Sequence, residues 1–525
     1  MVNLARFLPF LSSGLPSQEP LYSEKNGILP APSKSVAVVG AGSAGLAMLK
    51  TLLDLPTQTR EGWEIVLYEE RENVAGVWLP DPRNVTPPEI PETPLYPLLH
   101  TNTPVPFMSY PGFPFPPKTP LYPSHEHIEA YHLRYAQHYS LLDHISFNHK
   151  LQKASWSGTP EKGHWDLVIS DQISGRIIKR RVDHLVIGSG NHHLPRIPKW
   201  KGQEEWLNST PPKRLQRRII HSVYYRQPQA FTNQRVLVVG NGASGRDAAS
   251  QVIHFAREVI SSVRHEVIDP VDGVTYKPEI TEFTSKGVVF TDGTTADPDV
   301  ILLGTGYELR KPFLEAGGEL RADPSARDNS SVHKELVTNL YYIFPLHKHI
   351  LSLSPSYPIN ALAFIGLPTY IPNCPSDIAQ SLFATHAIFN PSIFPPREEL
   401  LEELAAYDEH LRSLGLDPYT NGHRMLENDG PSDYQDELVD FLKAKGVIHD
   451  DGKKFVESWR RDIYTYQALK RGWKRIEELG TGEKWTEGIE TEAQWADLMR
   501  RVNEWQERRE EEQGIHVVRK NDLAN

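Results

Sequence analysis

The chain has 525 residues, 39% hydrophobic and 23% charged, which is the composition of a folded globular protein too long for one core. Its 56 Lys and Arg against 67 Asp and Glu leave a net charge of −11, without the basic footprint of a nucleic-acid binder. The single cysteine, Cys374, excludes an internal disulfide and a Cys-x-x-Cys redox pair, and it suits a cytoplasmic, reducing compartment. No apolar run reaches the roughly 18–20 residues that span a bilayer.

Met1–Pro16 carries a short apolar patch broken by Pro9 and reads as a disordered or docking arm, a signal peptide being the minor alternative. The first ordered unit is an apolar run, Ser35–Val39, that ends in glycines. A helix is expected over Ser43–Leu53 and a second strand over Glu64–Tyr68. Residues 80–123 are dense in proline and aromatics and read as a long ordered loop over a site. The strand–helix–strand pattern recurs at Arg235–Val239, Ala243–Phe255 and Glu258–Ser261. Two more apolar strands end in glycine pairs, at Leu185–Gly190 and Val300–Gly306. Val288–Thr294 reads as an antiparallel hairpin feeding back into the sheet. Beyond residue 395 the chain turns helical and charged, with Trp459, Trp473, Trp485, Trp495 and Trp505 spaced through a packed appendage. The last residues, Glu510–Asn525, are polar and do not form a peroxisomal address.

Both glycine turns have the spacing of a dinucleotide cradle. In Gly40-Ala41-Gly42-Ser43-Ala44-Gly45, Gly40 permits the tight bend and Gly42 lets a pyrophosphate approach the backbone. Gly45 lets helix and strand pack closely. The helix N-terminus then offers free N–H groups and the positive end of its dipole. Glu69, at the end of the next strand, is placed to accept the ribose hydroxyls. The second turn, Gly240-Asn241-Gly242-Ala243-Ser244-Gly245, lacks that acid. Its strand ends in Ser261-Ser262-Val263-Arg264, where hydroxyls and a guanidinium suit the 2′-phosphate of NADPH, although Glu266 lies close by. Two dinucleotide sites on one chain call for a hydride donor and a flavin acceptor, so FAD is assigned to the first and NADPH to the second.

From about Val36 to Phe389 the chain resembles the flavin-containing monooxygenases. The segment Glu69–Trp78 is similar to the family's run of Glu, a basic residue, Gly-Gly, an aliphatic and Trp, with Ala75 in place of the first glycine. Leu99–Pro104 resembles its Thr-Asn loop, and Phe113–Pro116 and Tyr131–Tyr139 continue the match. His221–Arg226 resembles the second half of its fingerprint. The Phe and Gly expected before that His are Leu215 and Arg217 here. Related Baeyer–Villiger enzymes close the fingerprint with Trp-Pro, so Tyr225-Arg226 favours the N- and S-oxidising branch. Gly188-Ser189-Gly190 and Gly304-Thr305-Gly306-Tyr307 resemble the family's linkers between cofactor domains.

The resemblance implies an FAD- and NADPH-dependent monooxygenase. A nitrogen or sulfur atom of a small molecule would take one oxygen of O2 by way of a flavin C4a-hydroperoxide. Asn102 is the expected catalytic residue, and a loop-capping Asn is its alternative. Arg71, Gly76, Val77, Trp78, Thr101 and Gln380 join the flavin contacts by resemblance. Ser43, Ser244, Thr305 and Gly306 join the cofactor set. Trp78 could equally be a core residue and Gln380 a solvent-facing one. His221 reads as a linker residue, and the adjacent His192 and His193 do not make a metal pair. Ketone oxidation or biosynthetic N-hydroxylation on the same scaffold, and a nucleotide-binding protein without turnover, are the competing readings. A disulfide reductase would need a second cysteine. The expected fold is α/β with two Rossmann-like domains. An arm covers 1–33 and a flavin domain covers 34–227 and 333–395. A nicotinamide domain is inserted at 228–332, and a helical region follows at 396–525. A homodimer is compatible with this layout.

Overall fold

The computed structural model describes residues 33–514, except residues 84, 213, 266, 268–269, 328–334 and 428. The expectations for Met1–Pro16 and for the last residues beyond 514 lie outside them.

Strand β1 (Lys34–Val39) leads into the first glycine turn and helix α1 (Ser43–Asp54). The helix ends where Leu55 turns extended ahead of Pro56, which disfavours a helical residue before it. Strand β2 (Trp63–Tyr68) returns parallel to β1, and β3 (His184–Ile187) pairs with the other side of β1. The continuous apolar run of β1 has a direct cause. Val36 and Val38 enter one core, and Ala37 and Val39 enter another on the opposite face.

Strands β4 (Arg218–His221) and β5 (Arg235–Val239) belong to a second sheet, together with α2 (Ala243–Val252), β6 (Glu258–Ser262) and β7 (Val300–Leu303). The order Thr275–Lys277, β6, β5, β7, β4 is parallel throughout. The chain therefore enters this sheet upstream of residue 228. Helix α2 stops short of the expected Phe255, because the carbonyl of Phe255 accepts from Asn233 N–H and draws the chain off the helix axis toward β5. The expected hairpin forms with a correction. Gly287–Phe290 pairs on both sides within a separate three-stranded antiparallel sheet, and β7 alone returns to the parallel one.

Strand β8 (Leu362–Phe364) brings the chain back to the first sheet, beside β3. That sheet has seven strands, and helix α3 (Asn373–Phe389) packs against α1 beneath it. The helices beyond residue 395 share this core and do not hang off it. Trp473 and Trp495 are fully buried with Met499 and Val502 in the cluster that contains α1 and α3. Trp495 lies in the last helix, α4 (Glu492–Glu512), and its Nε1 donates to the carbonyl of Phe115 at 3.3 Å. The C-terminal region thus grips the proline- and aromatic-rich loop. Trp495→Ala should cost about 3–5 kcal/mol of stability and lower the urea midpoint measured by far-UV circular dichroism. An unchanged midpoint would show that the C-terminal helices do not share the core of the first sheet.

Candidate active site

The first glycine turn is shaped by backbone contacts that leave no room for side chains. Gly40 has φ +94°, and a Cβ on it would lie 2.9 Å from the carbonyl oxygen of Gly188. A Cβ on Gly45 would lie 1.7 Å from the carbonyl oxygen of Gly40. Helix α1 begins at Gly42 with no side-chain cap and no acid in its first turn. Its first N–H groups have no intrahelical acceptor and point at the turn. A diphosphate fits here on the structure's own terms, because the helix end carries no side-chain cap and no acid of its own first turn.

Around this cradle the segment after β2 folds back. Gly76, with φ +53°, approaches Gly42 so closely that a Cβ would lie 3.0 Å from the Gly42 Cα. Ala75 has φ +89°, a left-handed conformation in which alanine is strained and glycine is not. Arg71 is buried and holds this segment down, donating to the carbonyls of Leu79 and Pro80 at 2.6 Å each and forming an ion pair with Glu92. All of these guanidinium contacts are to protein. Val77 is exposed, whereas Trp78 is half-buried against the main core. Glu69 is buried, and its carboxylate accepts from the N–H groups of Ala41 at 2.6 Å and Arg71 at 2.9 Å. Burial pushes its pKa up to about 7 against the pull of those two N–H groups.

The second turn repeats the construction. Gly240 has φ +98° and is backed by Gly304, whose carbonyl oxygen would lie 2.7 Å from an added Cβ. A Cβ on Gly245 would lie 2.0 Å from the carbonyl oxygen of Gly240. Helix α2 starts at Gly242 with no side-chain cap. Gly242 and Ser244 are exposed, and no atom stands within 4 Å of where a Gly242 Cβ would be. At the end of β6, Ser262 is buried and its hydroxyl donates to the carbonyl of Pro278 at 2.9 Å. Arg264 is exposed and paired with Glu279 at 2.8 Å.

The linkers supply the rest. Thr305 donates its hydroxyl to the carbonyl of Arg196 at 2.5 Å. The Gly306 carbonyl accepts from His221 Nε2 at 3.0 Å, while His221 Nδ1 accepts from Val223 N–H. That pattern requires the neutral ring, and burial lowers the pKa of His221 to about 4. Lys311 donates to the Gly190 carbonyl at 2.6 Å and to Asn191 Oδ1 at 3.0 Å, and so ties the two linkers together. Burial pushes its pKa down to about 7. Among the described residues no group of His, Cys, Asp and Glu has the arrangement of a metal site.

The proline-rich loop reaches both cradles. Tyr96 donates its phenol proton to Asp247 on α2, and Asp247 also accepts from Gln251 at 2.9 Å. Tyr110 donates to the carbonyl of Ser43, the first residue of α1, at 2.8 Å. Asn102 lies between these anchors. It is exposed, and its one side-chain partner is the Thr103 hydroxyl at 3.5 Å, so it does not cap the loop backbone. Thr101 beside it is buried with an unpartnered Oγ1. Gln380 is buried in α3, with Oε1 accepting from Gly366 N–H at 3.0 Å and Nε2 donating to Ser376 at 2.7 Å.

Tyr96 and Tyr110 are site-building residues that motif spacing did not single out, and Gly188 and Gly304, read as linker glycines, also back the two turns. The two tyrosines had no signal in the sequence beyond their place in a loop rich in proline and aromatics. Arg217 accounts for the broken fingerprint. It is buried and donates to the carbonyls of Trp206, Ser209 and Ser285 and to Asp297, filling the place expected for a glycine.

Comparison with known proteins agrees with this geometry. Residues 33–269 match the family model described as flavin-binding monooxygenase-like. The flavin-containing monooxygenase FMO GS-OX-like 9 of Arabidopsis thaliana is 27% identical over 85% of this chain and 92% of its own length. FMO GS-OX-like 2 of the same plant is 28% identical over 84% and 90%. S-allyl-L-cysteine S-oxygenase from Allium sativum shares the fold, with a TM-score of 0.67 at 23% identity over 90% of this chain and 99% of that one. The chain is thus similar in sequence and fold to flavoprotein monooxygenases. The relatives it matches in sequence are flavin-containing monooxygenases, the family the motifs resemble. No helix among the described residues is long and apolar enough to cross a membrane.

Glu69 yields a test of the first cradle. Its raised pKa means that the apo-protein holds a proton here which the unfolded chain releases at its ordinary value of 4.5. This contribution therefore weakens the apo-protein as pH rises from 4.5 to about 7. Ribose hydroxyls donate to the ionised form, so FAD affinity should rise with pH across the same window. Glu69→Gln should flatten that rise and weaken FAD by about tenfold or more, as measured by flavin fluorescence titration of apo-protein. An unaltered slope and affinity would remove Glu69 from the site.

Proposed function

We propose that the protein binds FAD at the Gly40–Gly45 turn and NADPH at the Gly240–Gly245 turn, and transfers one atom of O2 to nitrogen or sulfur of a small molecule. NADPH, a proton, O2 and the substrate are consumed, and NADP+, water and the N- or S-oxide leave. The observation that carries this reading is the loop that touches the helix behind each cradle through Tyr96 and Tyr110, with Asn102 between. When bound, the flavin supplies the oxygen activation and NADPH the hydride.

The chain's own part is binding, orientation and exclusion of water. The N-terminal N–H groups of α1 and α2 hold the two pyrophosphates. Glu69 takes the adenosine ribose of FAD. The Gly76–Trp78 segment, pinned by Arg71, covers the same cradle. Ser43, Thr101 and Gln380 complete the flavin side, Gln380 by fixing Gly366. Ser244, Thr305 and Gly306 line the nicotinamide side. Asn102 can both donate and accept, and its amide is not committed to the backbone, so it can register the reacting groups against one another. The Tyr225-Arg226 ending of the fingerprint favours a soft nucleophile over a ketone. The cytoplasmic location and the split flavin domain expected from the sequence are compatible with this reading.

The cofactors and the reaction are tested together. The purified protein should be yellow, should bleach with NADPH under argon, and on admission of 18O2 should place one labelled oxygen in a thioether or tertiary amine per NADPH consumed. Colourless protein from flavin-rich cells, or hydrogen peroxide as the sole oxygen product with every such substrate, would refute the reading.

The choice of NADPH rests on Arg264, because Ser262 has spent its proton on Pro278. Releasing Glu279 frees the Arg264 guanidinium for a 2′-phosphate, at the cost of an exposed ion pair worth little. Arg264→Ala should raise KM for NADPH by about tenfold and leave KM for NADH nearly unchanged. An equal change for both coenzymes would assign the 2′-phosphate to another group.

A further inference from the structure

Asp377 is a buried acid beside the first cradle that the reading above does not use. It lies in the first turns of α3 and is 2% exposed, and its Oδ2 has no hydrogen-bond partner. Its surroundings locate it beside the first cradle. A Cβ built on Gly366 would lie 3.5 Å from Asp377 Oδ1 and 3.3 Å from the Cβ of Ala44. The Ser43 hydroxyl stabilises its charged form, while burial raises its pKa to about 7. Ser43 and Ala44 are the opening residues of α1, where a diphosphate would rest. A buried carboxylate oxygen with no donor is costly, and folded proteins keep one where something else completes it.

The chemistry narrows what that is. A phosphate oxygen would repel the acid, so the missing partner is a hydrogen-bond donor. Glu69 already faces the sugar on the adenosine side of the pyrophosphate. The other side of the pyrophosphate leads to the flavin ring through a polyol chain, and its hydroxyls are donors of the required kind. We propose that Asp377 is a further flavin-binding residue, with Oδ2 accepting a hydroxyl proton from the polyol chain of FAD. This rests on the assignment of FAD to the Gly40–Gly45 cradle. The side chain is kept buried and uncommitted on α3, a helix otherwise packed against α1, so the acid's place is set by the same helix pair that builds the cradle.

The test compares FAD with ADP, which carries the adenosine and diphosphate but no polyol. Apo-protein is titrated with each ligand as wild type, Asp377→Ala and Asp377→Asn. Asp377→Ala should weaken FAD by about tenfold or more while leaving ADP within about twofold. Asp377→Asn retains an acceptor oxygen and should lose less. The apo-protein's melting temperature should change little in either variant, because Oδ2 has no protein hydrogen bond to lose. Unchanged FAD affinity, or an equal loss for FAD and ADP, would overturn the assignment. Should the alanine variant fail to fold by circular dichroism, the asparagine variant decides by the same FAD-to-ADP comparison. Wild-type protein that binds neither ligand would instead overturn the reading of the cradle itself.

Discussion

A pyrophosphate can be held by main-chain N–H groups only where a strand, a turn and a helix meet with no side chains between them. Here that condition is met at Gly40, Gly45 and Gly188, and again at Gly240, Gly245 and Gly304. At Gly40, Gly45, Gly240 and Gly245 a single Cβ would collide with a carbonyl oxygen at a distance no real contact shows, and at Gly188 and Gly304 it would press on the backbone of Gly45 and Gly245. The collision is with backbone, which cannot rotate away as a flexible side chain can. Both sheets are consequently fixed by the same local geometry: each parallel strand must deliver its glycine to the mouth of a helix. The ends of α1 and α2 have no side-chain cap, so they direct partial positive charge at the two turns.

The two cradles are built alike and finished differently. The first is enclosed. Gly76 leans over it, Arg71 locks that segment by bonds to carbonyls, and Glu69 closes the side at the cost of burying a carboxylate. The second is exposed at Gly242 and Ser244, and its polar neighbour Arg264 stands in solvent. Enclosure suits a cofactor that stays bound through many turnovers, and exposure suits one that enters and leaves in each. The loop anchored by Tyr96 and Tyr110 joins the two, and it is gripped from outside by Trp495 of the C-terminal helices. Stability and function therefore share one element, because the loop that bears Asn102 depends on packing contributed far along the chain.

Strained and buried polar groups mark the same region. Ala75 occupies a left-handed conformation next to the first cradle, Lys311 is buried between the linkers with neutral partners, and Thr101 and Asp377 keep unpartnered oxygens. Such features are costly to a fold and cluster where a ligand completes them.

Much of this was legible in the order of residues. The glycine spacings, the apolar runs of β1, β5 and β7 and the acid at Glu69 each follow from local rules: the period of a strand, the approach a glycine allows, the charge a ribose needs. Strand runs could be read because both faces of each sheet are covered, which removes polar residues from the pattern. What local rules could not supply were pairings between distant segments. Gly188 behind Gly40, Tyr96 on Asp247, Trp495 on Phe115 and Arg217 in place of a fingerprint glycine all join residues far apart in sequence. The hairpin at Gly287–Phe290 was expected to feed back into the parallel sheet, and it pairs instead with its own neighbours, Ile280–Thr284 and Thr295–Ala296, in a separate antiparallel sheet. The sequence by itself thus determined the two glycine turns, through backbone sterics that act within a few residues. Only the tertiary structure decided which loop spans them and which buried acid was left without a partner, because those depend on how separate elements close around a common space.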